Sequence, residues 1–323
     1  MEKRPLIIDC DPGIDDAQAI MMLAASGAFD IMGITTLDGS CSLQQTSVNA
    51  LFLSELYGIR TETAIGASRP MVRSGMPYAE ETNGSNGLAG YSYERPEMSL
   101  YGGLAWELIY RRALEADGNL EIIALGPLTN IATAVLKYPA LTEMIKQIVI
   151  ASGSSRAGNI TPYAEFNSFR DPHAMSVVLD AGFKRLVMVD LEASRKAFMY
   201  ADEAVRMGEY YGRVGKLFRR MINYNRDKAR ENGERDDTPY YSHASVAAAI
   251  AVNPELARLK PYYALCETQS TLTMGQTVID WHDRFNHRPN VALVDSIDRD
   301  GYIKLFFDCL SSYSEKDGGN ANE

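Results

Sequence analysis

Sulfur chemistry has little place in this chain. It holds four cysteines, Cys10, Cys41, Cys266 and Cys309, far apart, without CxxC spacing, and each in or beside an apolar segment. That argues against a disulfide framework or a zinc site and leaves reduced thiols in a core. Positive charge is also scarce. The formal net charge is -10, and there is no basic stripe of the kind a nucleic-acid backbone calls for. The scattered basic residues from Arg219 to Arg235 read as the solvated face of a helix. No apolar run is long enough to cross a bilayer, and Met1-Glu2-Lys3-Arg4 leads straight into a strand-like segment without a secretory apolar region. The expectation is a cytoplasmic protein with neither a membrane nor a nucleic-acid partner. Internal repeats and long Gly/Pro/Ser linkers are missing as well, which favours one domain over 1–313 rather than two.

What is present is a sizeable apolar fraction, 46% of 323 residues, enough for one large core. Strand-like runs at Leu6–Ile8, Ile31–Thr36, Leu120–Leu125, Gln147–Ala151, Arg185–Val189 and Val291–Val294 alternate with helical patterns at Leu43–Leu56, Gly103–Ala116, Asn130–Leu136 and Ala174–Ala181. That rhythm predicts an α/β fold, an open and mainly parallel sheet with helices on both faces. Residues 197–256 break the rhythm with a largely helical, Tyr- and Arg-rich stretch, read as a helical insertion or lid. The polar tail 314–323 reads as disordered.

The densest chemistry lies at the start. Asp9, Asp11, Asp15 and Asp16 fall within eight residues, after an apolar strand and around Pro12-Gly13, with the last two at a helix start. Four acids this close repel one another unless a cation or a set of donors neutralises them. A hard divalent ion is the economical answer, and strand ends are where open α/β sheets keep their ligands. Helix capping alone would account for Asp15 and Asp16 but gives Asp9 and Asp11 no role.

Three weaker features follow. The loop Gly158-Asn159-Ile160-Thr161-Pro162-Tyr163-Ala164-Glu165-Phe166-Asn167, with Asp171-Pro172 after it, offers the mixture of donors and acceptors that sugar hydroxyls need, though it equally fits a polar loop that caps its own turns. Leu125-Gly126-Pro127-Leu128-Thr129-Asn130 turns a strand end into a helix and frees carbonyls for a cation. His243, beside Tyr240 and Tyr241, stands at a helix start as a candidate general acid or a structural histidine. Tyrosines 200, 210, 211, 224, 240 and 241 are candidates for stacking on an aromatic ligand.

Taken together, the Asp9-x-Asp11-x-x-x-Asp15-Asp16 run, Gly126-Pro127-Leu128-Thr129-Asn130, Ala164-Glu165-Phe166-Asn167 with Asp171-Pro172, and Gly275-Gln276-Thr277-Val278 stand in the order seen in nucleoside hydrolases. Over nearly its whole length the chain resembles the inosine–uridine-preferring nucleoside hydrolase family. The resemblance implies a calcium-dependent N-ribohydrolase that splits a nucleoside into free base and ribose, assembled as a homo-oligomer, a dimer or tetramer. In that frame Asp11 ligates calcium and takes the proton of the attacking water, and Asp16 and the main-chain carbonyl of Leu125 are further ligands. Asp15, Asn159, Glu165 and Asn167 hold the sugar, Asp9 supports the site from behind, and His243 protonates the departing base.

The chain departs from the family at three places. Ala244 follows His243 where the family has a calcium-ligating Asp, Ser40 follows Gly39 in place of an Asn, and Asn83 replaces a His that faces the base in some members. Losing an anionic ligand weakens calcium binding, and Asp38, Asp236 and Asp237 are the candidate replacements. The alternatives to an ordinary nucleosidase are therefore an impaired member that binds nucleosides or ribosides, and a hydrolase of a modified riboside. Asp9-Cys10-Asp11 also fits the nucleophile motif of haloacid-dehalogenase-type phosphatases, but Gly13 stands where that class has Thr or Val.

Overall fold

The computed structural model describes residues 2–74, 77–210, 212–235 and 237–318, the last five as backbone only. Among the described residues ten strands are formed: β1 (Arg4–Cys10), β2 (Phe29–Thr36), β3 (Thr63–Ile65), β4 (Leu120–Ala124), β5 (Ile145–Ala151), β6 (Leu186–Val189), β7 (Ala257–Tyr262), β8 (Ala264–Cys266), β9 (Thr277–Ile279) and β10 (Val291–Ile297). Eight of them make one sheet in the order β3-β2-β1-β4-β5-β6-β10-β7, and β8 and β9 form a separate hairpin. All neighbours in the large sheet are parallel except β7, which runs antiparallel to β10 at the edge.

The apolar runs explain why these strands lie inside. β4 and β6 are buried along their whole length, as strands covered by helices on both faces must be. Along β1 the side chains alternate: Leu6, Ile8 and Cys10 enter one core layer and Ile7 the other. The first layer is filled by the helices Ile14–Ala25, His243–Val252 and Arg299–Gly318, and the second by Ala105–Glu115, Thr129–Lys137 and Pro172–Asp180. All four cysteines are buried and free. Among the described residues no helix is long and apolar enough to cross a membrane.

The order of the strands places the site. The chain winds outward from β1 through β2 to β3, returns to the other side of β1 as β4, and continues outward in the opposite direction. The crevice between the C-terminal ends of β1 and β4 is thus the point where the winding reverses, the usual ligand position of open α/β sheets.

The doubly wound sheet matches the expectation, but three pieces were not anticipated. β3 has only three residues, β7 alternates half-buried and exposed positions with Arg258 and Lys260 among them, and the β8–β9 hairpin is short. None has the continuous apolar run that marks an inner strand. Within 197–256 the helices Ala201–Met207 and Gly212–Glu231 each turn one buried face onto the first core layer, Gly212–Glu231 against Arg299–Gly318, whereas His243–Val252 is buried all along from Ala244 to Ala251. Its alanine-rich sequence lets it pack closely on Ile14–Ala25. The closing helix continues to Gly318, into the stretch expected to be disordered, and 319–323 lie outside the described residues.

Candidate active site

Asp9 is the penultimate residue of β1, and Asp11 follows on the segment leading through Pro12-Gly13 into the helix that carries Asp15 and Asp16 in its first turn. Asp9 is fully buried. Its Oδ1 accepts from Thr35 Oγ1 (2.6 Å) and from Asn130 Nδ2 (2.8 Å), yet burial outweighs these bonds and pushes its carboxyl up to about 7. Asn130 sits in the first turn of the helix Thr129–Lys137 that follows β4, and also donates to the Thr36 carbonyl (3.1 Å) while accepting from Ala67 N (2.9 Å). One amide thereby ties β1, β2 and the loop after β3 together beneath the acids.

Asp11 is gripped on one side. Its Oδ2 accepts from Ser40 N (2.5 Å) and Ser40 Oγ (3.0 Å). Burial pushes its carboxyl up to about 6, against the Ser40 bonds and the nearby Arg170 charge. Glycine is required on both flanks, because a Cβ at Gly39 would overlap Oδ2 and one at Gly126 would overlap Oδ1. The Gly-Pro turn after β4 thus makes room for the carboxylate.

Asp15 and Asp16 part company although adjacent. Asp15 Oδ2 accepts from His243 N (2.9 Å), capping the core helix that starts there. Burial raises its carboxyl to about 6 against that bond. Asp16 is pushed well above the usual range by burial and by the charges of Asp11 and Asp15. Among the described residues, Asp9 Oδ2 and Asp16 Oδ1 are buried without a hydrogen-bond partner. A buried carboxylate oxygen without a donor, beside like charges, fits a bound cation. Asp11, Asp16 and the Leu125 carbonyl are the oxygens that could hold one here, and their all-oxygen character suits a hard dication. Among the described residues, no three His, Cys, Asp or Glu side chains converge as a metal-holding group.

Of the replacement acids, neither Asp38 nor Asp237 is among the residues that line the site. Both oxygens of Asp38 accept from Arg170 Nη2 (3.0 and 2.9 Å) in a buried ion pair. Asp237 is exposed and paired with Arg235 at 2.8 Å, and Asp236 lies outside the described residues. Ala244 lines the site.

A cavity of about 1170 Å³ opens over the acids. Of the residues singled out from the sequence, Asp11, Asp15, Asp16, Ser40, Asn83, Leu125, Asn159, Glu165, Asn167 and His243 line it, and Asp9 sits behind. Several have work within the fold. Glu165 caps the helix Phe166–Arg170, its two oxygens accepting from Asn167 N (2.8 Å), Ser168 N (3.1 Å), Gly153 N (2.9 Å) and Ser152 Oγ (3.3 Å). Asn167 Nδ2 donates to the carbonyls of Leu125 and Ala151, both at 2.8 Å. Its amide hydrogens are thus spent on the protein, leaving Oδ1 as the group to meet a ligand. Asn159 Oδ1 accepts from Phe166 N (2.9 Å). The His243 ring places Nε2 2.7 Å from the Val189 carbonyl. A carbonyl only accepts, so Nε2 carries a hydrogen and Nδ1 is the nitrogen left for proton exchange.

Residues to which the sequence assigns no role at the site complete it. Thr35, Asn130 and Arg170 hold Asp9, Asp38 and the cavity wall, and Gln18 Nε2 contacts Tyr240 Oη at 2.5 Å. Asn130 lay inside a recognised motif and Arg170 just before Asp171, but nothing local tells which distant carboxylate each meets. Of the tyrosines, Tyr240 and Tyr241 line the cavity. Tyr224 instead donates to the Glu80 and Glu81 carbonyls, and Tyr211 lies outside the described residues.

The fold agrees with the comparisons. The chain belongs to the inosine-uridine preferring nucleoside hydrolase family, whose model matches residues 6–304, and is accordingly a hydrolase of N-glycosyl compounds. Among its relatives, the pyrimidine-specific ribonucleoside hydrolase RihB of Escherichia coli K12 is 32% identical over 313 residues, covering 97% of this chain and 99% of the relative. The plant nucleoside hydrolase PpNRh1 superposes with a TM-score of 0.87 at 25% identity, over 96% of this chain and 100% of that one. A purine-preferring ribonucleoside hydrolase from Gardnerella vaginalis shares the fold with a TM-score of 0.89 at 22% identity, over 97% of this chain and 100% of that one.

Proposed function

We propose that this chain is a calcium-dependent N-ribohydrolase that releases the base from a ribonucleoside. The observation that carries the reading is Asp16 Oδ1, buried without a donor beside Asp11 where the sheet winding reverses, under a cavity large enough for a nucleoside. Asp11, Asp16 and the Leu125 carbonyl would hold the calcium, which would supply Lewis acidity for an attacking water and a positive charge to fix the sugar. Asp11, in the cavity floor between Gly39 and Gly126, is the carboxylate placed to accept the water's proton. Asp15, Asn159, Glu165 and Asn167 orient the ribose, and the fixed carboxylates stabilise an oxocarbenium-like transition state. His243, with Nε2 held by Val189, delivers a proton through Nδ1 when it is the imidazolium. A homo-oligomer acting in the cytoplasm, without nucleic-acid or membrane partners, completes the proposal.

A second reading has its own observation. Ala244 lines the site, and no third acid converges on Asp11 and Asp16 among the described residues, which favours weak calcium binding and a modified riboside or a binding-only role. Reducing-sugar release from a riboside panel, with calcium and with excess chelator, separates the two. Uridine and cytidine head the panel because the RihB relative is named as pyrimidine-specific. Release that the chelator abolishes is the expected result. Binding without release from any riboside would give the second reading the field.

A further inference from the structure

The helix Ile14–Ala25, which carries Asp15 and Asp16, begins without a capping side chain of its own. Its N-cap is Gly13, which has no side-chain oxygen for the first N–H groups. The acceptor arrives from 69 positions along the chain: Asn83 Oδ1 accepts from Ile14 N at 2.9 Å. The other end of the same amide is held as well, with Nδ2 donating to the Ala79 carbonyl (3.3 Å) and to Thr82 Oγ1 (3.1 Å). Gly13 permits the approach, since a Cβ there would stand 2.6 Å from Asn83 Oδ1 and 2.8 Å from Ser40 Oγ.

The segment bearing Asn83 is part of the cavity wall and is anchored elsewhere in the site. Arg170 Nη1 donates to the Pro77 carbonyl (2.7 Å) while its Nη2 holds Asp38, and Tyr224 holds the Glu80 carbonyl at 2.9 Å from the helix Gly212–Glu231.

We infer that Asn83 is a positioning residue, which caps the helix of Asp15 and Asp16 from outside and so couples placement of the 77–83 wall to placement of those carboxylates. It acts through that helix and does not select the base. The inference rests on the hydrolase reading for its kinetic arm alone.

The test is hydrogen–deuterium exchange of the peptide spanning 12–18 in the ligand-free chain, alongside kcat and KM for uridine and inosine. In Asn83→Ala, exchange there should quicken about 2- to 30-fold, the scale of a lost helix cap. The value of kcat should fall by a similar factor for both ribosides, with their ranking kept. Asn83→Asp retains an acceptor and should restore slow exchange and most of kcat, whereas Asn83→Ser is too short to reach and should not. If the Ala variant fails to fold, the Asp and Ser variants decide. A changed base ranking with unchanged exchange would make Asn83 a base contact and overturn the inference, as would faster exchange with kcat intact. If the unmodified chain hydrolyses no riboside, it is the hydrolase reading that fails, and exchange at 12–18 still decides whether Asn83 is the cap.

Discussion

Asp16 is the residue on which the site turns. Its neighbours share their oxygens with the protein: Asp9 with Thr35 and Asn130, Asp11 with Ser40, Asp15 with the His243 amide. Asp16 Oδ1 has no partner among the described residues and is driven towards its protonated form by burial and by Asp11 and Asp15. Asp16→Asn should therefore raise the melting temperature of the metal-free chain at neutral pH, by removing a buried acid that must otherwise take up a proton on folding or stay charged. The same change should weaken calcium binding by at least about tenfold. Isothermal titration with calcium, paired with thermal melts in chelator, checks both; an affinity equal to that of the unmodified chain would remove Asp16 from the ligand set. Nearby, Arg170 and Asp38 form a buried ion pair. Sequence spacing showed Asp38 but not the guanidinium that occupies it.

Elements divide the work between floor and wall. The floor is β1, β4 and the two packed helices Ile14–Ala25 and His243–Val252, all parts of the core. The outer wall is the helix Gly212–Glu231, docked through Arg220 Nε on the Ala89 carbonyl (2.6 Å) and through Tyr224 on the 77–83 segment. Tyr224→Phe removes one hydroxyl donor from that seam without changing its shape. Net loss of one such bond is about 0.5–1.5 kcal/mol, so KM for a good riboside should rise roughly 2- to 12-fold, with kcat changed less. Steady-state kinetics would show it, and a fall in kcat at constant KM would contradict the assignment of this seam to substrate enclosure. The periodicity of 197–256 made its helices legible, but not that His243–Val252 would lie in the core while Gly212–Glu231 faces the cavity. An alanine-rich segment reads the same in either place until its packing partner is known.

At the scale of the whole molecule, the acid cluster makes stability depend on pH and, in the calcium-dependent reading proposed above, on calcium. Asp9, Asp11 and Asp15 have folded values near 7, 6 and 6 against an ordinary 3.8. The folded state therefore binds their protons more tightly than the unfolded state does. Their contribution favours folding below about pH 4 and is lost progressively as pH rises to about 7. Calcium competes with those protons. Added calcium should thus raise the melting temperature strongly at pH 7.5 and little at pH 5. Melts at the two pH values, with calcium and with chelator, read this directly; an equal shift at both would mean that the ion binds away from these carboxylates.

Sequence by itself determined the parallel α/β sheet, the crowding of four acids at the end of its first strand and the glycine turn opposite them. Each is local: apolar runs mark buried strands, and neighbouring acids keep their proximity in any fold. Tertiary structure decided which oxygens were left over. Asn83 was read from its place in a motif as a group facing the ligand, and the fold spends its oxygen on Ile14 N. Glu165, expected as a sugar contact, lines the cavity while its two oxygens also cap a helix and hold a loop. Such pairings join positions tens of residues apart, and only packing selects among the many polar partners a chain offers, because each buried donor or acceptor must be satisfied by whatever the fold brings within reach.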